Sequence, residues 1–218
     1  MSTVAISFTG GKDCTLALHR VHQQGAKVAV LVTFSPPERS FKAHALNIIQ
    51  QQAKALGLSH TICTIHGPDY LQSYQDEIRK LKITYGIDGL VTGDIKPVCS
   101  NFMERAVEGT GVRLIRPLWG QMEGEILKDM WHFEIVVSCI DRNRIAQDEV
   151  VGERLTPTLL QTILRTNRNV SPTGEFGEMH TMVLDCPLYA QRLKLEADRL
   201  IENKLVYLNV KTVTLVDK

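Results

Sequence analysis

Short apolar runs alternate with longer amphipathic stretches through the first half of the chain. Val4-Ala5-Ile6-Ser7-Phe8 is apolar and ends at glycines, which predicts a strand. Residues 13–24 follow with Ala17, Leu18 and Val21 on one helical face, Asp13 placed to cap the helix and Gly25 to stop it. Residues 28–34 are β-branched and apolar throughout, the pattern of a parallel strand covered on both faces, and Ser35-Pro36-Pro37 ends it. Residues 44–56 carry Ala45, Ile49, Ala53 and Leu56 in helical register, with Gly57 after them. A third strand is predicted at 61–65. Leu71, Tyr74, Ile78, Leu81 and Tyr85 recur at spacings of 3, 4, 3 and 4, the clearest amphipathic helix in the chain, and Gly86 ends it. A strand at 88–92, a helix at 101–108 and a strand at 112–115 complete this half. Such alternation implies right-handed crossovers and a parallel sheet.

The pattern then changes. A helix is predicted at 123–133 and a strand at 134–140, followed by the polar run Asp141-Arg142-Asn143-Arg144 and a helix at 158–165. In the last forty residues Val206, Leu208 and Val210 alternate, as do Val213 and Leu215, which predicts a β-meander. The change sets a boundary near Gly120. The expected fold is α/β: a parallel-sheet nucleotide-binding domain over 1–120 and a smaller α+β substrate domain over 121–218.

Composition narrows the function class. With 218 residues, 44% hydrophobic and 22% charged, the chain is an ordinary globular sequence, which excludes disorder and collagen-like repeats. A net charge of +1 advertises no broad surface for nucleic acid or acidic membrane. No apolar run approaches the roughly 18 residues of a membrane span. Met1-Ser2-Thr3-Val4 lacks the basic start of a signal peptide, so a cytoplasmic protein with no membrane partner is expected. The five cysteines are scattered without a C-x-x-C pair, which argues against a disulfide framework and a zinc ribbon.

The first strand runs into Thr9-Gly10-Gly11-Lys12-Asp13-Cys14, and then a helix begins. Two glycines let backbone N–H groups approach a phosphate closely, the positive end of the helix points at the same spot, and Lys12 adds a full charge. The spacing is neither that of a Walker A loop nor G-x-G-x-x-G. The plain alternative is a tight turn with a solvated lysine.

Thr9 to Cys14 resembles the S-G-G-K-D-S signature of the PP-loop ATP pyrophosphatases, which bind ATP with this loop and cleave between its α- and β-phosphates. Thr9 and Cys14 stand where that superfamily usually has serines; Thr9 keeps a hydroxyl, whereas Cys14 is a weaker donor. The resemblance implies an ATP site drawing on Ser7, Thr9, Gly10, Gly11, Lys12, Asp13, Cys14, Thr33, His44 and Gly93. Four further segments narrow the match. They are Ser40-Phe41-Lys42-Ala43-His44-Ala45-Leu46-Asn47, Thr92-Gly93-Asp94-Ile95, Arg116-Pro117-Leu118-Trp119-Gly120, and Gly174-Glu175-Phe176-Gly177-Glu178-Met179-His180-Thr181 with Leu184-Asp185-Cys186-Pro187-Leu188. With the glycine loop they resemble the diphthine–ammonia ligase family and its bacterial relatives. Met179 replaces an aromatic residue of the family pattern, and the loop at 96–103 departs from it.

That family implies a ligase using ATP and Mg²⁺. A substrate carboxylate is adenylated with release of pyrophosphate, and ammonium then displaces AMP. The acceptor is the diphthine of elongation factor 2 in archaea and eukaryotes, and another carboxylate in a bacterium. The resemblance makes Lys12, Glu175, Glu178 and His180 the catalytic candidates and Asp94 the metal ligand. Each has a plain alternative: turn carboxylates for Glu175 and Glu178, a satisfied histidine at a strand start for His180, helix capping for His44, Asn47 and Asp94, packing for Trp119, and turn structure for Asp185. Nucleic acid is disfavoured as a partner, and a homodimer is compatible with the chain. Two other functions fit less well. A PP-loop tRNA sulfur transferase needs a persulfide cysteine, for which Cys99 and Cys139 are the candidates. A non-catalytic ATP or AMP sensor leaves the Glu175/Glu178 motif without a task.

Overall fold

The computed structural model describes residues 2–38, 42–97 and 101–218. Ser40 and Phe41 of the second motif, and Val98, Cys99 and Ser100 of the divergent loop, lie outside the described residues. The elements are β1 (Thr3–Ser7), α1 (Lys12–Gln23), β2 (Lys27–Ser35), α2 (Leu46–Leu56), β3 (His60–Thr64), α3 (Tyr70–Tyr85), β4 (Gly89–Val91), α4 (Phe102–Val107) and β5 (Arg113–Ile115). They continue with α5 (Glu123–Met130), β6 (Glu134–Asp141), a 3-10 turn at Asp148–Val150, α6 (Pro157–Thr166), β7 (Met179–Asp185), β8 (Arg192–Glu202) and β9 (Leu205–Val216). The chain divides into two compact units. One comprises Met1–Thr9, Asp13–Ser40 and Leu58–Gly120; the other comprises Gly10–Lys12, Phe41–Gly57 and Gln121–Lys218.

The first unit is a parallel five-stranded sheet in the order β3-β2-β1-β4-β5. Its central strands bury apolar side chains on both faces, as their continuous hydrophobic runs require. Ala5, Val30, Val32 and Leu90 are sealed beneath Ile78 and Leu81, the apolar stripe of α3. Each such Leu or Ile contributes about 1.5–3 kcal/mol. Asp69 caps α3 by accepting from the Gln72 N–H at 2.9 Å, and Gly86, in the left-handed conformation, ends it. Phe34, Tyr74 and Phe102 form an aromatic chain along this layer, with ring centroids 4.7 and 5.0 Å apart.

The second unit is built on an antiparallel sheet in the order β7-β6-β9-β8. The last forty residues are therefore not a meander: β6 separates β7 from β9, and β7 and β8, though consecutive, do not pair. Burial explains the order. The interior of β6 is buried at every position, so it takes a central place, whereas β8 is mostly exposed and forms the edge. Helix α2 packs on β8 and β9, and its Ile48, Ile49, Gln52, Ala53 and Ala55 are buried. The Ala190 N–H donates to the Ala55 carbonyl at 2.7 Å, and the Ser138 hydroxyl donates to the Ala43 carbonyl at 3.0 Å. Helix α5 stops at Met130 rather than running to 133. Phe133 turns inward and is buried, its N–H bonded to the Met130 carbonyl at 2.9 Å, so that β6 can start at Glu134. Among the described residues no helix is long and apolar enough to cross a membrane.

Candidate functional site

The first unit holds Ser7, Thr9, Asp13, Cys14, Thr33, Gly93 and Asp94. Ser7 ends β1, while Gly93 and Asp94 follow β4, the strand paired with β1 through Val4↔Gly89, Ala5↔Leu90 and Ile6↔Val91. From β1 the sheet grows one way through β2 and β3, and on the other side through β4 and β5. The carboxyl ends of β1 and β4 thus flank the point where strand order reverses, the crevice in which open parallel sheets take ligands. Gly93 packs on the start of α1: a Cβ there lies 2.7 Å from the Asp13 carbonyl carbon and from the Cys14 nitrogen. Asp13 stands in the first turn of that helix, where the helix dipole favours a carboxylate. The Thr92 hydroxyl donates to Asp94 Oδ2 at 2.7 Å and orients its carboxylate. Thr9 is exposed, with its hydroxyl 3.8 Å from Cys14 Sγ.

Thr33 has a different setting. Its hydroxyl donates to the Phe8 carbonyl at 2.7 Å and lies 2.9 Å from His60 Nε2. A hydroxyl has one proton, so the imidazole N–H donates to it. Burial lowers the His60 pKa, which favours the neutral ring that this bond uses. The Thr33 side chain is thereby committed to joining strands. At the end of this unit Arg116 pairs with Glu104 at 2.5 Å and lies 3.7 Å over the Trp119 ring, so Trp119 is a stacking platform for a cation.

The second unit holds Gly10, Gly11, Lys12, His44, Glu175, Glu178 and His180. Gly10 has φ +76, and its carbonyl accepts from the Val183 N–H at 3.0 Å and from Gln52 Nε2 at 2.8 Å. The same Gln52 amide donates to the Val183 carbonyl at 2.8 Å. Any side chain at position 10 would meet Gln52 Oε1, 2.0 Å from the Cβ position. Lys12 is 2% exposed; its Nζ donates to the Thr173 carbonyl at 2.5 Å and its backbone N–H to the Thr181 hydroxyl at 3.2 Å. The His44 and His180 rings meet edge to face with centroids 5.1 Å apart. Burial first, and then the Lys12 ammonium, push the His180 imidazole below its ordinary value, with Glu178 opposing them.

Glu178 is fully buried, and both its oxygens receive backbone N–H groups: Ser171 on Oε1 and Phe176 on Oε2, each at 2.9 Å. This carboxylate braces the loop in which it lies. Glu175 is half-buried, and its N–H reaches the Ser171 hydroxyl at 3.4 Å. Gly174 and Gly177 turn that loop with φ of 70 and 78. Asp185 ends β7 and pairs with Lys218 at 2.7 Å ahead of the Pro187–Leu188 turn.

Among the described residues no group of three or more His, Cys, Asp or Glu is placed to hold a metal ion. Asp94 is a half-buried carboxylate that follows β4 beside the strand-order reversal. Cys139, the sulfur-transfer candidate within the described residues, is fully buried in β6, and burial pushes its thiol up to about 11. Cys63 and Cys186 are pushed to about 12 by the same cause. Such thiols lack the thiolate character that sulfur transfer requires. Cys99 lies outside the described residues.

Gln52, Glu123, Ser171 and Thr173 join these residues only in the folded chain. Gln52 left a signal: a polar residue three positions after Ile49, on the buried stripe of α2. The buried hydroxyls of Ser171 and Thr173 left none, because their residue types are those of any polar turn.

The N-terminal domain model of diphthamide synthase matches residues 1–114, and its C-terminal domain model matches residues 123–216. Diphthine–ammonia ligase of Rattus norvegicus is 24% identical over 230 residues, covering 91% of this chain and 84% of the relative. The Homo sapiens ligase shows the same identity and coverage. A solved structure from Methanocaldococcus jannaschii, described as a predicted subunit of tRNA methyltransferase, aligns with a TM-score of 0.45 and 16% identity, covering 84% of this chain and 97% of that one.

Proposed function

Because this chain belongs to the diphthamide synthase family, we propose that it is an ATP-dependent ligase that makes an amide from a carboxylate and ammonia. The observation that carries the nucleotide half of this reading is the place of the glycine loop. It follows the strand at which sheet order reverses, and the Gly93–Asp94 end of β4 stands beside that strand. Residues 1–120 are assigned the nucleotide and residues 121–218 the acceptor.

The steps follow from the chemistry of the side chains. Backbone N–H groups of Gly10 and Gly11 and the Lys12 ammonium bind the phosphates. A carboxylate oxygen of the acceptor attacks the α-phosphorus, the bond to the β-phosphate bridge breaks, and pyrophosphate leaves. Ammonia attacks the acyl carbon of the adenylate, AMP departs with the bridging oxygen, and the nitrogen loses a proton. Glu178 already holds two backbone N–H groups, which weakens it as a base, and Glu175 in the same loop is the carboxylate assigned to take that proton. His180, kept neutral beside Lys12, presents an imidazole that accepts rather than repels the ammonium proton. Mg²⁺ takes most of its ligands from phosphate and water, so the single carboxylate of Asp94 suits it; when bound it neutralises phosphate charge. The acceptor is a diphthine-like carboxylate on a protein.

The test follows α-labelled ATP with Mg²⁺ and ammonium, with and without an acceptor-bearing extract fraction. Label recovered as AMP, dependent on both the fraction and ammonium, is the expected result; ADP as the sole product refutes the reading. Lys12→Ala should abolish AMP formation and weaken ATP binding, and wild-type affinity in that variant would remove Lys12 from the site.

A further inference from the structure

We infer that Glu123 is a positioning residue for Lys12, acting through the turn at Ser171 and Thr173 that holds the lysine ammonium. The inference rests on the reading of Lys12 as a phosphate ligand. Glu123 is the first residue of α5, far in sequence from both partners. Its Oε1 accepts from the Thr173 hydroxyl at 2.7 Å and from the Ser171 hydroxyl. Both donors are buried, at 1% and 7% exposure, and the two hydroxyl oxygens stand 3.1 Å apart because they share one acceptor. The carbonyl of the same Thr173 receives Lys12 Nζ at 2.5 Å.

The arrangement has a clear division of labour. Residues 171–173 lie in neither helix nor strand, so no ladder of backbone bonds holds them. Glu178 grips the turn by the Ser171 backbone N–H, and Glu123 grips it by two side-chain hydroxyls. A Ser or Thr hydroxyl in a turn ordinarily competes for nearby backbone carbonyls. An ionised carboxylate is an acceptor only, and it draws both hydroxyl protons to itself. The Thr173 carbonyl is thereby left to the ammonium. Lysine is a flexible stem ending in a point charge, so a fixed carbonyl that seats the charge before the phosphate arrives lowers the ordering cost of binding.

The test is a double-mutant cycle read by calorimetric ATP affinity in the full-length protein. Glu123→Ala is expected to weaken ATP about tenfold, the effect of releasing one ordered, rotamer-rich side chain. Glu123→Gln keeps an acceptor oxygen and should recover most of that loss, which rules out a requirement for bulk charge alone. Thr173→Val deletes one hydroxyl at constant shape and should reproduce the loss even if Glu123→Ala folds poorly. In a Lys12→Ala background, Glu123→Ala should cost nothing further in affinity, because the group it positions is gone. A full, additive loss in that background, or unchanged affinity in both Glu123→Ala and Thr173→Val, overturns the inference while leaving the nucleotide site in place. Wild-type affinity in Lys12→Ala itself would instead remove the premise, so the two failures are distinguishable.

Discussion

At Gly93 a methyl group has nowhere to go, since the atoms 2.7 Å from its position are the Asp13 carbonyl carbon and the Cys14 nitrogen, both backbone. A flexible side chain could yield there, but the first turn of a helix cannot. Gly93→Ala should therefore cost about 1–3 kcal/mol of stability by overpacking and weaken ATP binding, read by urea unfolding and by calorimetry; wild-type values in both would contradict the packing. His180 carries a different prediction. Its folded-state pKa lies below the ordinary 6.5, so the unfolded chain takes up the proton first as pH falls. The stability it contributes is complete above about 6.5 and is lost as pH drops through the lowered folded value. The urea midpoint should fall between pH 7.5 and 5.5, and His180→Gln should flatten that slope without abolishing it, because His60 is lowered in the same direction. An unchanged slope in the variant would disconnect His180 from the effect. At this scale the glycine loop was readable from residue types alone. The role of Glu178 was not, because a carboxylate among glycines looks the same whether it meets substrate or two backbone N–H groups.

Helix α3 is the element most completely written in its own residues. A 3-4-3-4 apolar stripe and a glycine at its end are local features with their expected structural counterparts, and the structure adds the Asp69 cap at its start. Asp69→Ala should cost about 1 kcal/mol through loss of the cap, measured as a fall in the urea midpoint with an unchanged m-value; an unaltered midpoint would show that the Gln72 N–H finds another acceptor. The order of strands in the antiparallel sheet was not local. Alternation along β8 and β9 announces strands, and a hairpin between them is the cheapest pairing. Nothing within 179–218 discloses that β6 divides β7 from β9, because that choice depends on which strand has two apolar faces to bury. The same competition shortened α5, where burial of Phe133 outweighed three further helical residues.

Over the whole molecule, the compact units do not follow the linear chain. The second unit draws in Gly10–Lys12 and Phe41–Gly57, and α2, with its buried apolar stripe, packs on β8 and β9. A fragment of residues 121–218 lacks that helix and the Gly10 carbonyl that receives the Val183 N–H. It should show no cooperative urea transition by circular dichroism, whereas the full chain should; two-state unfolding of the fragment would refute this dependence. The sequence by itself determined the class of fold, since apolar runs of period two and 3.6 separated by glycines are local records of strand and helix. It also determined the glycine turn between β1 and α1, since paired glycines between an apolar run and an amphipathic one are a local signal. The tertiary structure alone decided the partners: that Gln52 ties Gly10 to Val183, that Glu178 braces a loop, and that Glu123 reaches Thr173. Those contacts join residues 42 to 131 positions apart or link side chains to backbone. Burial of a polar group must be matched by a partner brought from elsewhere in the chain, and no local pattern records which partner arrives.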